Sequence, residues 1–391
     1  MITCPRRVSR RAMLALPLVA ALGLAACAPV ATPARGPAPD AGAPVAVALL
    51  VPAGSGGAGD QILAQALENA ARLAIADLGA LRIDLRVYGT GGQPAGAEAA
   101  ALRAAEDGAR IILGPVFAAE AAAAGVAVAG RGINVLSFSN NADIAGGNIF
   151  VLGSTFQNTA NRLIGYAARQ GQRRVMIVHD RTAAGEIGRA AAERAVAAQG
   201  ATLAGVASYE FSQEGVVQAI PAIVAQIRAS GADAILFTAD TAGALPLLTQ
   251  LLRDNGVTPE TARFLGLTRW DIPPGTLSLP GLQGGWFALP DPAVHAQFEA
   301  RYAAAFGAPP HPIAGLAYDG IAAIGALVQQ GRTDALGRAA LTQAAGFAGV
   351  NGVFRLRPDG SSERGLAVAE VRNGQVVVID PAPRSFVGVG F

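Results

Sequence analysis

The chain of 391 residues contains no lysine; all 30 of its basic residues are arginine. It has only two cysteines, three histidines and two tryptophans, and charged residues make up 15% of it. Cys4 lies in an N-terminal leader and Cys27 at its end, so the body holds no thiol. Disulfides, thiol catalysis and cysteine metal sites are thereby excluded from the body. His179, His295 and His311 are far apart and show no His-x-x-x-His spacing, which leaves metal binding with little support. There is no Gly-x-Ser-x-Gly elbow and no Walker-type phosphate loop, so hydrolase or ATPase chemistry has no motif to rest on. The formal net charge is +2, but removing the four arginines of 1–26 from the 30 leaves 26 basic against 28 acidic residues. Nucleic-acid binding needs a concentrated basic surface, and this body lacks one. A hydrophobic fraction of 52% argues against disorder. Yet no run reaches the ~20 apolar residues of a membrane span.

What is present begins with the leader. Arg6, Arg7, Arg10 and Arg11 form a positive segment, and Met13–Ala26 is an apolar run too short to span a bilayer. Leu24-Ala25-Ala26-Cys27 resembles a bacterial lipobox, which implies cleavage before Cys27 and acylation of that cysteine. The alternative is an ordinary secretory peptide with an incidental cysteine. Ser9-Arg10-Arg11-Ala12-Met13-Leu14 also resembles a twin-arginine export motif, so export by either the Sec or the twin-arginine route is open. Residues 28–44 contain five prolines and no helical periodicity, and read as a tether. Ala28 after the cysteine is compatible with sorting to the outer membrane.

From Val45 onward, short apolar runs alternate with amphipathic stretches. Strands are expected at Val45–Val51, Leu81–Val87, Ala109–Leu113 and Ile133–Ser137, with helices between them. A second series places strands at Arg173–His179, Thr202–Tyr209, Ala234–Phe237 and Ala262–Leu267, and a helix at Thr241–Asn255. Asn373-Gly374 between two apolar runs signals a hairpin. The expected fold class is α/β, with two doubly wound parallel-sheet lobes and a cleft between them. The expected division is a leader at 1–26, then anchor and tether at 27–44. The N-terminal lobe takes 45–152 plus about 285–363, and the C-terminal lobe 153–284 plus about 364–388.

Ligands of such sheets sit at the carboxyl ends of strands, and that rule selects the candidate residues. Ser137, Ser139 and Asn141 follow one strand end, as cleft groups or as an Asx-rich turn. Asp240 and Thr241 follow another. Arg269, Trp270 and Asp271 offer a cation, a flat apolar face and an acid, for binding or for lobe packing. Tyr318-Asp319 lies within a helix, as a further cleft candidate or as packing with a helix-face hydrogen bond. His179-Asp180 reads as a strand-end pair. Gly54–Gly59 fits Gly-x-Gly-x-x-Gly between strand and helix, yet Pro52-Ala53 separates it from the strand and Asp84 lies mid-strand. The favoured reading is a cleft-lining loop, with no cofactor and no metal.

Val45–Pro52, Gly114-Pro115, Ala317–Gly320 and Phe347–Phe354 followed by Asp359-Gly360 resemble type I periplasmic binding proteins of the branched-chain amino-acid receptor branch. That resemblance implies a non-catalytic binding protein. It also exposes departures. Where such receptors place a serine after the Gly-Pro turn to hold a ligand carboxylate, this chain has Val116-Phe117-Ala118-Ala119. Ala184-Gly185 stands where a Tyr-Gly pair is usual, and Thr268 stands near the position of the acid that holds the ligand ammonium. A zwitterion needs both its charges met in a dry cleft. Leu136–Asn141, Val151–Gly153, Leu265–Asp271, Trp286–Asp291 and Phe298–Tyr302 further resemble the penicillin-binding protein activator lipoproteins. The expected function is therefore activation of a penicillin-binding protein in peptidoglycan synthesis. The alternative is a substrate-binding protein of an ABC importer for amino acids or another small solute. The corresponding partner is a penicillin-binding protein or an ABC permease, with a small polar ligand optional in the cleft and the membrane reached only through lipid on Cys27. Cys27→Ser is expected to abolish acylation and release the protein from the membrane fraction. Fatty-acid labelling and fractionation of cells expressing either form measure this, and unchanged labelling refutes the lipobox reading.

Overall fold

A computed structural model of the protein describes residues 44–386. The leader, Cys27, nearly all of the tether and the last five residues lie outside the described residues.

The first lobe is built on a five-stranded sheet of β1 (Val45–Val51), β2 (Ile83–Gly89), β3 (Ile111–Leu113), β4 (Asn134–Ser137) and β5 (Ile149–Val151). Its order is β2-β1-β3-β4-β5 and all its pairings are parallel. Between the strands run α1 (Ala58–Asp77), α2 (Pro94–Glu106) and α3 (Ala118–Ala129). Side chains alternate across a strand, so each strand feeds two cores. Val47, Leu49, Ile111 and Leu113 point into one cluster, and Ala48, Leu50 and Ile112 into the other. The second cluster is lined by Ala97, Ala100, Ala101, Ala104 and Ala124 of α2 and α3. Alanine on these faces lets helices lie close to the sheet, and it accounts for much of the chain's apolar composition.

The second lobe contains α4 (Phe156–Arg169), β6 (Arg174–Asp180), α5 (Ala183–Ala198), β7 (Thr202–Tyr209), α6 (Gln213–Ser230), β8 (Ala234–Phe237), α7 (Leu245–Asp254), β9 (Arg263–Gly266) and β10 (Trp286–Leu289). After β10 the chain returns to the first lobe through α8 (Pro292–Phe306), α9 (Gly315–Gln329) and α10 (Arg338–Leu341). Phe298, Tyr302, Ala317, Ile321 and Ile324 of α8 and α9 pack on the β1 side of the first-lobe core. A small antiparallel sheet follows, β11 (Phe347–Gly349), β12 (Gly352–Leu356) and β13 (Ser362–Arg364). The hairpin of β14 (Ala367–Arg372) and β15 (Gln375–Asp380) then completes a seven-stranded sheet of order β15-β14-β10-β9-β8-β6-β7. Its last two strands are antiparallel additions to a parallel sheet.

Several sequence expectations shift. The return to the first lobe, expected at about 285, falls after β10, because Trp286 and Phe287 pair with Leu265 and Gly266 of the second sheet. The strand expected at 81–87 runs Ile83–Gly89. The helix expected from Thr241 starts at Leu245, since Asp240 first accepts the Gly243 amide in a turn and Pro246 then opens the helix. Strand β5 and the three-stranded sheet had too short an apolar run to announce themselves.

The chain therefore crosses between lobes three times, near 152–155, 290–291 and 365–366. Arg364 braces the first and third of these crossings from within. Its guanidinium donates to the Leu152 carbonyl at 2.6 and 3.1 Å and to Asp319 of α9 at 3.0 Å. Asp319 also accepts from the Val350 amide at 2.7 Å and from Asn351 at 3.2 Å. Both charged side chains are 0% exposed. Burial pushes the Asp319 carboxyl above the usual carboxylate range, against the pull of Arg364 and the two N–H donors. Such a pair is costly to break one-sidedly, because the survivor is left charged and unpaired. Asp319→Ala is expected to lower stability by about 3–5 kcal/mol, whereas Asp319→Leu with Arg364→Met recovers much of that loss. Urea denaturation of the three proteins measures it, and a loss below about 1 kcal/mol for the single variant contradicts this role.

Candidate functional site

The largest convergence of strand ends lies between the lobes. There β3 ends in Gly114-Pro115, where Gly114 has φ +82° and a β-carbon would come within 2.2 Å of the Leu50 carbonyl oxygen. This tight turn aims Val116, Phe117 and Ala118 into a cleft of about 560 Å³. The loop after β4 adds Phe138, Ser139, Asn140 and Asn141 to the same wall. Opposite stand Leu267, Thr268, Arg269 and Ile272 after β9, with Ala288, Leu289 and Pro290 at the end of β10. The floor is made by the crossings and their neighbours, including Gly153, Ser154, Phe156, Thr159, Asn351 and Leu366, and α9 contributes Leu316 after Pro312 and Ile313.

The polar groups of the first-lobe wall form a ladder. Ser137 donates to the Pro115 carbonyl and accepts the Ser139 amide, both at 3.1 Å. Ser139 Oγ accepts the Asn141 amide at 3.1 Å, and Asn141 Oδ1 accepts the Asp143 amide at 2.9 Å. Each side chain thus caps the backbone two residues on. Ser137 is fully buried and spends its hydroxyl on the loop, so it supports the wall without lining the cleft. Ser139 and Asn141 line it. Each oxygen already accepts one backbone amide, and the Ser139 hydroxyl hydrogen and the Asn141 amide hydrogens remain to offer a ligand.

On the second-lobe wall, Arg269 forms a two-pronged pair with Asp271 at 2.5 and 2.7 Å. Thr268 donates to the Ala239 carbonyl at 3.3 Å. No aspartate or glutamate occurs among the residues that line the cleft. Apolar side chains from both lobes supply most of its surface, and Phe117 and Ile272, each 40% exposed, mark its two lips.

Besides Ser137, the structure moves four of the sequence candidates out of the cleft. Trp270 is 0% exposed and belongs to the second-lobe core. Its indole fills a slot where β-carbons on Gly266 and Gly285 would lie 2.3 and 2.6 Å from the ring, and its ring centroid is 6.1 Å from that of Phe287. Tyr318 packs edge-on against Phe298 and donates its hydroxyl to Asp77, tying α9 to α1. Together with Arg301, that hydroxyl holds the Asp77 carboxyl below its ordinary value although burial alone would raise it. Asp240 is exposed and occupied by the turn before α7. Thr241 donates to the Ile272 carbonyl at 2.6 Å, so it acts on the cleft lip only through Ile272. Gly54–Gly59 is not among the cleft-lining residues, and Ser55 accepts the Gly57 amide there at 3.1 Å as a local turn before α1. His179 is buried with Nδ1 2.8 Å from the Asp180 carbonyl, while Asp180 accepts from the Thr182 amide at 3.0 Å.

Sequence reasoning passed over Phe156, Thr159, Ile313 and Asn351. The run Pro309–Pro312 was the available signal for the third of these, since prolines between two helices force a turn at the cleft edge.

With this geometry in view, the comparisons with known proteins are direct. The sequence profile described as periplasmic binding protein matches residues 44–375. Among curated proteins no match was found. A solved structure of a branched-chain amino acid ABC transporter protein from Rhodospirillum rubrum, itself described as putative, shares 21% identity at TM-score 0.73, covering 86% of this chain and 100% of that one. A branched chain amino acid ABC transporter periplasmic ligand-binding protein from Burkholderia xenovorans shares 20% identity at TM-score 0.69, covering 86% of this chain and 96% of that one. An ABC transporter substrate-binding protein from Desulfitobacterium hafniense in complex with Leu shares 18% identity at TM-score 0.64, covering 86% and 100%. A profile match along most of the chain, on a fold of two wound lobes with an intervening cleft, shows that the chain belongs to the periplasmic binding protein family.

Proposed function

We propose that this protein is the solute-binding component of an ABC importer, and that its cleft takes a mainly apolar small solute carrying no ammonium group. The observation that carries the reading is the lining of the 560 Å³ cleft, which holds hydroxyl and amide donors at Ser139 and Asn141, many apolar groups and no carboxylate. A volume of this size suits a small molecule. An ammonium buried there would lack a counter-charge, and an unpaired buried charge is expensive. Arg269 does not reverse this balance, because it is itself a cation, neutralised by Asp271. The Leu complex from Desulfitobacterium hafniense shares the fold at 18% identity. Here the cleft chemistry favours an uncharged, mainly apolar molecule with a hydrogen-bond acceptor over the amino acid.

The activator reading rests on the short sequence motifs alone, whereas the family match and the transport proteins of like fold support import. A lipid on Cys27 would hold the body at a membrane through the tether of residues 28–44.

The full chain is expected to show no thermal shift with leucine or valine and a clear rise with 4-methylpentanamide or benzamide, which are neutral and offer a carbonyl to the Ser139 and Asn141 donors. Phe117→Asp, which puts a charge on the cleft lip, should remove that rise. A rise of several degrees with leucine overturns the ligand class. Photo-crosslinking in cells, chosen because the chain has no lysine side chains for amine reagents, is expected to recover a permease. Recovery of a penicillin-binding protein instead overturns the importer role.

A further inference from the structure

A second cavity, of about 630 Å³, lies apart from the cleft, between α4, the end of β15 and the hairpin of β12 and β13. None of its lining residues lines the cleft. Its walls are charged, and the charges do not balance. Asp380 Oδ2 receives Arg162 at 2.8 Å and Arg169 at 3.3 Å. Glu363 Oε2 receives Arg355 at 2.6 Å and Arg357 at 2.8 Å. Two carboxylates thus meet four guanidinium groups, three of them lining the cavity and Arg355 reaching Glu363 from outside its lining, and each carboxylate shares a single oxygen between two of them. Arg364, which also borders the cavity, is already neutralised by Asp319 and adds nothing to either side.

Two further observations point into the cavity. Asn158, one of its lining residues, is only 7% exposed, and its Nδ2 has no hydrogen-bond partner. A buried amide donor left unmade is costly, and a ligand acceptor would satisfy it. Burial also pushes the Arg162 guanidinium below its ordinary value, with Asp380 opposing that shift. Asn158, Arg162 and Arg169 are spaced i, i+4 and i+11 on α4, which puts them on one helical face.

We propose that this cavity is a binding site for a small dianion, a phosphate ester or a dicarboxylate. Arg169 and Arg357 each make one hydrogen bond through the guanidinium and keep further N–H groups for the ligand. Asn158 Nδ2 supplies a neutral donor. Charge-assisted hydrogen bonds of this kind are the strong ones, and a two-oxygen anionic group matches the guanidinium fork. The site is independent of what the cleft binds.

Isothermal titration of the full chain with glycerol 3-phosphate and, separately, succinate tests it at constant ionic strength. Saturable one-to-one binding of at least one probe is expected, and the arm that binds assigns the anionic group. Arg169→Ala with Arg357→Ala should weaken it by roughly tenfold or more. Those side chains are 54% and 49% exposed, so the double variant is expected to keep the parent's thermal melt. Asn158→Asp, which places a negative charge at the orphaned donor, should also weaken binding, whereas Ser139→Ala in the cleft should not. No saturation with either probe by about 10 mM, or binding unaltered in the folded double variant, overturns the proposal.

Discussion

The ion pair of Asp319 with Arg364 is the contact on which the two-lobe arrangement depends. A chain that passes three times between two sheets must bury backbone at those passages, and buried carbonyls need donors. Arg364 meets the first passage through the Leu152 carbonyl, sits itself at the third, and is held by a carboxylate on α9. Asp319 in turn fixes the turn at Val350-Asn351, and Asn351 lines the cleft floor. One buried guanidinium therefore connects two of the three crossings, the first-lobe helix layer and the binding cavity. The neighbourhood is tight as well: a β-carbon on Gly349 would approach Asp319 Oδ1 to 2.1 Å. The position of the pair is set by the fold on every side.

How far the sequence revealed this can be traced residue by residue. Alternation such as Val47, Ala48, Leu49 and Leu50 made the parallel strands legible, because a strand buried on both faces leaves a short continuous apolar run. Strand ends then pointed to Ser139, Asn141 and Arg269, which do line the cleft. Trp270 followed the same rule and failed it. Whether an indole turns inward depends on a slot between Gly266 and Gly285, glycines on separate segments that no local pattern connects. Arg364 and Asp319 are 45 positions apart and meet only once β13 is paired and α9 is packed. The charged cavity likewise draws on α4, the β12–β13 hairpin and β15, so no stretch of sequence carries its signature.

The cleft shows how a shared scaffold can change its chemistry at low cost. The turn at Gly114-Pro115 and the backbone amides capped by Ser137, Ser139 and Asn141 shape the wall whatever the cleft holds, while the donors of Ser139 and Asn141 face the ligand. Val116, Phe117 and Thr268 beside them set what a ligand meets without belonging to the sheets. Arg269 and Asp271 neutralise each other at the wall, which removes from the cleft a cation that would otherwise demand an anion. Specificity in such a site comes as much from charges withheld as from charges presented.

The placement of the two tryptophans gives the molecule an optical asymmetry. Trp270 sits in the second-lobe core with its indole nitrogen unpartnered, and Trp286 of β10 lies against Tyr166 with Arg263 over its ring. The first lobe has neither. Intrinsic indole emission therefore originates wholly in the second lobe, blue-shifted by a dry surrounding, and it reports the melting of one half of the protein, the other half contributing tyrosines alone.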